Sequence, residues 1–296
     1  MRLQTKLIKR LLFIHMSGWA DGSIKTQRAR QNKLRKFIKL PANTHCQPVD
    51  ANGVSAEWIE SPDSKSGILL YLHGGAYAIG LIASHRGFVA RLAHATQLRG
   101  LAINYRLAPE HPHPAALEDA LTAYQWLLSE CVDPSQIIIA GDSAGGGLTL
   151  ALLTALRDAG KPLPAGAICL SPWADLTNSG ASFQSKADLD GFLSFDILEM
   201  YAGYYAGEQE RTSPLISPLF ADFTGFPPLL IHVGSDEVLL DDARVVAKNA
   251  QKAGVDVTLK IWEGLFHVFP MVPFLSESKK VMESIAAFTA VYVDAG

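Results

Sequence analysis

The chain has 296 residues, 48% of them hydrophobic, and a formal net charge of −3. A chain of this size can bury on the order of three quarters of its unfolded surface, so one large domain is as plausible as two small ones. No long basic stripe appears in the body of the chain, and we therefore expect no nucleic-acid partner. Cys46, Cys131 and Cys169 lack the spacing of a disulfide framework or a zinc site, which favours a reducing, cytoplasmic location.

The N-terminal residues 1–23 begin with basic side chains and contain an apolar patch. Its uninterrupted part, Leu11 to Ile14, is shorter than the roughly 7–15 residues of a signal-peptide core. Apolar residues from Leu3 onward recur at helical spacing instead, with lysine and arginine on the other side. We predict an amphipathic helix that packs on the protein's own surface, with membrane-surface association as the alternative. No stretch reaches the ~20 apolar residues of a transmembrane helix, so we expect no stable membrane insertion.

Strand-like and helix-like segments alternate from residue 53 onward. The predicted strands are 54–60, 67–73, 99–105, 136–142, 165–171, 227–234 and 255–262, and the predicted helices are 85–97, 115–131, 144–159, 239–253 and 276–293. The clearest strand, 136–142, has the apolar run of a strand that is covered on both faces. This alternation predicts an α/β fold with a mostly parallel central sheet and helices on both faces.

Two segments interrupt the alternation. Residues 1–45 are rich in lysine and arginine, and residues 179–213 are helical in pattern although a short connection would suffice there. Because the sheet needs neither segment, we expect them to pack together as a helical cap over one end of it. The predicted organisation is thus a cap built from 1–45 and 179–213 and a core built from 46–178 and 214–296.

The pentapeptide GDSAG (141–145) fits the pattern G-x-S-x-G, directly after a predicted strand and before a predicted helix. A sharp turn there would lift the Ser143 hydroxyl clear of the sheet edge, and glycine at positions 141 and 145 would avoid a collision. The following helix would point its N–H groups at the reacting centre, where negative charge develops. We interpret Ser143 as a nucleophile. The alternatives are an incidental glycine-rich turn and a phosphate-binding loop, but the phosphate-loop patterns GxxxxGK[ST] and GxGxxG are absent.

A second glycine-containing turn, YLHGGAYAIG (71–80), follows the predicted strand 67–73. The paired glycines Gly74 and Gly75 let backbone N–H groups face inward without steric hindrance. Together with the N–H of Ala144, they form a predicted oxyanion hole with three donors. An ordinary β-turn would not explain why two such turns lie at the ends of two separate strands.

Taken together, these motifs resemble the hormone-sensitive-lipase-type group of α/β-hydrolases, the bacterial carboxylesterases with an HGGG motif. The matching segments are HGGA (73–76), NYRLAPEHPHPAALEDA (104–120), GDSAGG (141–146), SPWADLT (171–177), GSDEVLLDDA (234–243) and EGLFHVF (263–269). The resemblance implies an α/β-hydrolase fold. Ala76 stands where the family usually has a third glycine; it keeps the backbone N–H, but its methyl group would narrow the acyl or alcohol pocket.

The resemblance also implies the partners of the serine. His267, in the loop after the last strand, is expected to be the general base, and Asp236 is expected to orient it, with Glu237 as the alternative. His73 is expected to brace the HGG loop rather than transfer protons. His113, at a position where the family often has an aromatic residue, is expected to be structural.

These expectations predict a serine carboxylesterase that hydrolyses short-to-medium acyl esters of small molecules through an acyl-enzyme, with no metal or organic cofactor. Two alternatives stay open. One is a serine hydrolase of another class, such as an amidase, lactonase or peptidase; the other is a catalytically silent ligand-binding protein of the same fold. A homodimer that pairs an edge strand near 255–262 is a further expectation by analogy with relatives.

Overall fold

The computed structural model describes residues 9, 13, 20–34, 39–80 and 82–293. Most of the predicted amphipathic N-terminal helix lies outside these residues, although Lys9 and Phe13 are both helical. Within the described ranges, no helix is both long enough and apolar enough to cross a membrane.

An eight-stranded sheet organises the described chain. Its strands are β1 (His45–Ala51), β2 (Val54–Glu60), β3 (Ile68–Leu72), β4 (Arg99–Ile103), β5 (Ile137–Asp142), β6 (Gly166–Leu170), β7 (Leu229–Gly234) and β8 (Val257–Trp262). The spatial order is β1-β2-β4-β3-β5-β6-β7-β8, in which β2 runs antiparallel to both of its neighbours and all other pairs are parallel. The sequence predicted all of these strands except β1.

Helices cover both faces of this sheet. They are α1 (Ile24–Leu34), α2 (Ile82–Thr96), α3 (Ala115–Ser129), α4 (Ala144–Asp158), α5 (Ser182–Ser185), α6 (Phe195–Ala206), α7 (Leu240–Lys252) and α8 (Ser276–Tyr292). The apolar residues of α2 and α8 pack on one face, and those of α3, α4 and α7 pack on the other. The predicted α/β architecture, a mostly parallel sheet between two layers of helices, is confirmed.

The core lies in two layers because side chains alternate along each strand. Leu70 and Leu72 of β3 belong to the layer shared with α3, α4 and α7, whereas Leu69 and Tyr71 belong to the layer shared with α2 and α8. Every residue of β3, β5, β6 and β7 is buried. A strand that is buried on both faces has a near-continuous apolar run, which is why these central strands were visible in the sequence.

The candidate functional residues follow the carboxyl ends of parallel strands. Gly74 follows β3, Ser143 follows β5, Glu237 follows β7 and His267 follows β8. The carboxyl ends of parallel strands share one edge of a sheet, which is where open α/β sheets place their binding sites. The topology therefore collects residues that are far apart in the chain at one place.

The two segments that interrupt the alternation contact each other and the core. Tyr201 of α6 donates a hydrogen bond of 2.5 Å to the side chain of Gln27 in α1, and both side chains are buried. Arg28 of α1 donates to the carbonyl oxygens of Ala78 and Ala108, at 2.8 and 2.9 Å. These contacts join α1 to α6 and to the loops that follow β3 and β4.

Candidate active site

The turn between β5 and α4 holds Ser143 in a strained backbone conformation, with φ of 53° and ψ of −121°. A Cβ atom on Gly141 would lie 2.2 Å from the carbonyl oxygen of Gly145, and one on Gly145 would lie 2.0 Å from the carbonyl oxygen of Leu72. No side chain fits at such distances. The expected reason for both glycines is thereby confirmed.

The Ser143 hydroxyl and the His267 ring are in hydrogen-bond contact, with 2.9 Å between Oγ and Nε2. The other ring nitrogen, Nδ1, lies 2.9 Å from Oε2 of Glu237. All three side chains are buried. A continuous chain therefore runs from hydroxyl to imidazole to carboxylate, which is the arrangement that activates a serine for nucleophilic attack.

The Glu237 carboxylate is fixed by its second oxygen. Oε1 accepts hydrogen bonds from the Ser171 hydroxyl at 2.8 Å and from the backbone N–H of Gly234 at 2.5 Å. The side chain is fully buried. With Oε1 held by two donors, Oε2 is presented to His267 in a single orientation.

The structure contradicts the prediction that Asp236 orients His267. Its Oδ2 pairs with Nζ of Lys9 at 2.5 Å, and its Oδ1 accepts from the Ser235 hydroxyl at 3.2 Å. Asp236 and Glu237 are neighbours in one turn, and their side chains bind partners in different parts of the molecule. The residue that the sequence left as the alternative, Glu237, makes the contact with the imidazole.

The predicted set of oxyanion donors also changes. The N–H of Gly74 donates to Oδ1 of Asp142 at 2.9 Å, so it is not available to a substrate. Within the described ranges, the N–H groups of Gly75, Ala76 and Ala144 have no protein acceptor. Ala76 adopts φ of 51°, a left-handed conformation that an L-residue reaches only with strain. The available donors are therefore those of Gly75, Ala76 and Ala144.

The electrostatic environment favours a protonated His267. Burial opposes the charged imidazolium, but the hydrogen bond and the negative charge of Glu237 outweigh it, so the pKa of His267 lies above its ordinary value of 6.5. Asp190 and Asp142 act in the same direction. A raised pKa suits an imidazole that must take up a proton during the reaction.

Three other histidines have structural contacts, and two of them, His73 and His113, were named in the sequence analysis. His73 donates from Nδ1 to the carbonyl oxygen of the next residue at 2.8 Å, and burial together with the charge of a neighbouring histidine lowers its pKa to about 3. His113 contacts the side-chain oxygen of Gln209 at 2.9 Å. The buried His232 accepts from the Trp262 indole N–H at 2.9 Å. His73 is thus a neutral brace of the loop after β3, as expected.

Two supporting residues were missed in the sequence. Ser171 follows β6 and donates to Glu237, and its oxygen also accepts from the N–H of Val268, at 3.2 Å. Asp190, in the segment 179–213, accepts from the N–H of Val238 at 3.0 Å. The position of Ser171 at the carboxyl end of a buried strand was a usable signal. No comparable signal marks Asp190, whose role depends on how the insertion folds back.

Known proteins are similar to this chain in sequence and architecture. The model of a family with the α/β hydrolase fold matches residues 69–271. An acetyl-hydrolase from Streptomyces hygroscopicus is 48% identical over 236 residues, which is 79% of each protein. The crystal structure of an esterase from the bacterial hormone-sensitive lipase family has a TM-score of 0.92 at 40% identity and covers 96% of this chain and 98% of that one.

A second solved structure, EstE5 soaked with p-nitrophenyl butyrate, has a TM-score of 0.94 at 39% identity and covers 99% of each chain. With the family match spanning most of the core, the chain belongs to the α/β-hydrolase fold family and, within it, to the hormone-sensitive-lipase-type carboxylesterases. The resemblance seen in the sequence motifs is confirmed.

The contact between Glu237 and His267 predicts a pH effect. We expect Glu237→Gln to lower kcat by about a thousandfold or more, because the imidazole loses the charge that stabilises its protonated form. A general base works when neutral, so the acidic limb of kcat/KM should have its midpoint above pH 6.5 in the wild type. Removing the Glu237 charge lowers the pKa of His267, and the limb should move to lower pH.

The comparison variant for this pH profile is Asp236→Asn, which removes the neighbouring carboxylate but leaves the contact with His267 intact. Its kcat should stay within about tenfold of the wild type, because only the partly exposed pair with Lys9 is lost. A large loss in Asp236→Asn together with near-normal activity in Glu237→Gln would reverse the two assignments.

Proposed function

We propose that Ser143, His267 and Glu237 are the nucleophile, the general base and the orienting carboxylate of a serine carboxylesterase. The observation that supports this most strongly is the unbroken pair of 2.9 Å contacts that joins the three side chains. Relatives named acetyl-hydrolase and esterase support an ester as the substrate. A catalytically silent binding protein would have no need for this intact chain of contacts.

In the proposed cycle, His267 takes the proton from the Ser143 hydroxyl as its oxygen attacks the ester carbonyl carbon. The carbonyl becomes a tetrahedral oxyanion, and Glu237 stabilises the imidazolium. His267 then gives the proton to the leaving alkoxide oxygen, which departs as the alcohol and leaves an acyl-serine. A water molecule repeats the two steps, and the acid is released as Ser143 regains its proton.

The proposed oxyanion hole consists of the N–H groups of Gly75, Ala76 and Ala144, which have no protein acceptor among the described residues. Ala144 is the first residue of α4, so its N–H also lies at the positive end of a helix dipole. Each donor of this kind contributes roughly 3–4 kcal/mol in the transition state.

The proposed substrates are small esters with short-to-medium acyl chains. Two relatives support this range: one is named an acetyl-hydrolase, and EstE5 was soaked with the p-nitrophenyl ester of butyric acid. A serine with this base and these donors is equally competent to attack an amide or a lactone. The ester preference therefore depends on the pocket rather than on the three catalytic side chains.

We also propose that residues 1–45 and 179–213 form a cap over the site. Phe13, from the first segment, packs edge-on against Phe192, from the second, with 4.9 Å between ring centroids. Both rings contact Phe266, the residue before His267, at 6.3 and 5.3 Å. These three residues form an aromatic cluster beside the proposed base, and the pair of Lys9 with Asp236 lies beside the proposed orienting carboxylate.

We also propose a homodimer and a cytoplasmic location. The strand β8 is the last in the sheet order, and its side chains, including Ile261 at 40% exposure, are at least partly exposed. An edge of this kind can pair with a second copy, which supports a homodimer. All three cysteines are free thiols, which supports the cytoplasm as the location.

Replacing the nucleophile tests the proposed mechanism. Ser143→Ala should lower kcat by about four to six powers of ten, because no other group can form the acyl-enzyme. The melting temperature should stay close to that of the wild type, and labelling by a fluorophosphonate, detected by mass spectrometry, should disappear. Ser185→Ala, a change at an exposed serine of α5, is the matched control. Retained hydrolysis in Ser143→Ala would refute the assignment.

A substrate panel tests the proposed acyl range. We expect kcat/KM for p-nitrophenyl esters to be highest between acetate and hexanoate and to fall towards dodecanoate, because a capped pocket limits chain length. The butyric acid p-nitroanilide should react at least about a hundredfold more slowly than the butyrate ester. A preference for the anilide would favour the amidase alternative, and a maximum at dodecanoate would contradict the short pocket.

A substitution in the aromatic cluster tests the proposed cap. Phe13→Ala should open space between Phe192 and Phe266 and raise the ratio of kcat/KM for octanoate over butyrate by about threefold or more. Phe274→Ala is the matched control, because that side chain is 62% exposed and should leave the ratio unchanged. An unchanged ratio in Phe13→Ala would mean that the cluster does not limit the acyl pocket.

A further inference from the structure

The peptide group between His73 and Gly74 is held at both of its polar atoms. Its carbonyl oxygen accepts a hydrogen bond of 2.6 Å from the Tyr105 hydroxyl. Its N–H donates at 2.9 Å to Oδ1 of Asp142, the residue immediately before the proposed nucleophile. The peptide group therefore has no freedom to rotate, and its orientation is set by two side chains outside the loop.

The next peptide group, between Gly74 and Gly75, is held on one side only. Its carbonyl oxygen accepts from Nδ1 of His73 at 2.8 Å, and its N–H, which belongs to Gly75, has no protein acceptor within the described ranges. In a planar trans peptide the N–H points opposite to the C=O. Fixing the Gly74 carbonyl therefore fixes the direction of the Gly75 N–H, a proposed oxyanion donor.

Asp142 is the centre of this network. Its side chain is 3% exposed, and Oδ1 also accepts from the Tyr71 hydroxyl at 2.6 Å. Its Oδ2 lies 3.4 Å from Nε2 of His85. A Cβ atom on Gly74 would lie 2.3 Å from that same Oδ2, so the carboxylate packs directly against the loop backbone. A side chain at position 74 would therefore collide with the carboxylate.

The carboxylate of Asp142 is held as an anion. Burial raises its pKa, but the charge and hydrogen bond of His85, the hydroxyl of Tyr71 and the N–H of Gly74 outweigh burial and lower the pKa to about 2. Burial keeps the pKa of Tyr71 well above 10, so its hydroxyl remains a donor. A hydrogen bond to a charged group is stronger than one between neutral groups, which makes this a stiff attachment.

We propose that Asp142, held by Tyr71, is a positioning residue that aims the Gly75 N–H at the substrate oxyanion. This inference rests on the proposed function, because it assigns a task within the proposed oxyanion hole. Asp142 itself does not reach the substrate; it acts through the two peptide groups of the loop. Asp142, the residue between the first glycine and the serine of the G-x-S-x-G turn, therefore stabilises the transition state indirectly, through the position of the Gly75 N–H.

Tyr71→Phe is the most conservative test. It removes the hydroxyl on Asp142 and keeps the ring against Phe88, whose centroid lies 5.9 Å away. We expect kcat for p-nitrophenyl butyrate to fall about five- to twentyfold, with KM within about twofold, because the donor is misaligned for the oxyanion and not for the ground state. The control is Tyr124→Phe, which removes a buried hydroxyl that donates to the Pro162 carbonyl oxygen.

The affinity for a transition-state analogue distinguishes a positioning role of Tyr71 and Asp142 from a purely structural one, because a purely structural role would leave that affinity unchanged. A trifluoromethyl ketone forms a hemiketal oxyanion on the catalytic serine, so its affinity reports the oxyanion hole. In Tyr71→Phe, the inhibition constant should rise by the same factor as kcat/KM falls. In Tyr124→Phe, both values should match those of the wild type.

Two variants at position 142 test the same inference without relying on Tyr71. Asp142→Asn keeps an oxygen that can accept from the Gly74 N–H, whereas Asp142→Ala keeps none. We expect Asp142→Asn to retain at least about tenfold more kcat than Asp142→Ala. Melting temperatures and far-ultraviolet circular dichroism show whether each variant is folded, and the measurement on Tyr71→Phe stands even if Asp142→Ala does not fold.

The inference would be overturned by wild-type kcat and wild-type analogue affinity in Tyr71→Phe, or by equal kcat in folded Asp142→Asn and Asp142→Ala. A rise in KM at constant kcat in Tyr71→Phe would also overturn the inference, because it indicates lost substrate binding. Fluorophosphonate labelling of wild-type Ser143 separates this result from a failure of the proposed function. A wild-type protein that is neither labelled nor active on esters would refute the function and this inference together.

Discussion

The close approach of the turn after β5 to the end of β3 is the constraint on which the site depends. The Gly145 Cα atom sits so near the Leu72 carbonyl oxygen that a Cβ atom would lie 2.0 Å from it. This contact places Ser143 beside the loop that follows β3 and aligns α4 with the same point. Because the two strands are paired in parallel, with Leu72 opposite Gly141, their ends cannot separate without breaking the sheet. The serine and the free N–H groups are thereby held together by the core of the fold.

Two buried carboxylates, those of Glu237 and Asp142, contact different parts of the site. Glu237 is held through Oε1 by Ser171 and the Gly234 N–H and presents Oε2 to His267. Asp142 is held by Tyr71 and presents the same oxygen to the loop. A buried anion is unfavourable unless donors surround it, and here each set of donors also defines a direction. One carboxylate orients the base, and the other, in our inference, orients the oxyanion hole.

The sequence predicted the fold well because the central strands leave a strong local pattern. It singled out Ser143 from its glycine-flanked turn and His267 from the family resemblance, and the structure brings these two residues into contact. The central strands are apolar at nearly every position, with polar residues such as Asp142 and His232 as exceptions, and glycines are needed on either side of Ser143. The strand β1 was missed because it is an edge strand whose residues are mostly exposed, and it therefore has no apolar run. Whether Asp236 or Glu237 contacts His267 depends on the directions in which these two neighbouring side chains point, and the sequence does not specify those directions. The Gly74 N–H donates to Asp142, a residue 68 positions away, and no local sequence pattern encodes that contact.

The turn that carries Asp236 and Glu237 joins two regions with different access to solvent. Glu237 is fully buried, whereas Asp236 and its partner Lys9 have side chains that are 15% and 12% exposed. Dissolved ions screen charges that touch water and hardly reach those in the interior. Ionic strength therefore weakens the pair of Lys9 and Asp236 more than the contact between Glu237 and His267. The two adjacent acidic residues thus differ in how strongly dissolved salt acts on the contacts they make.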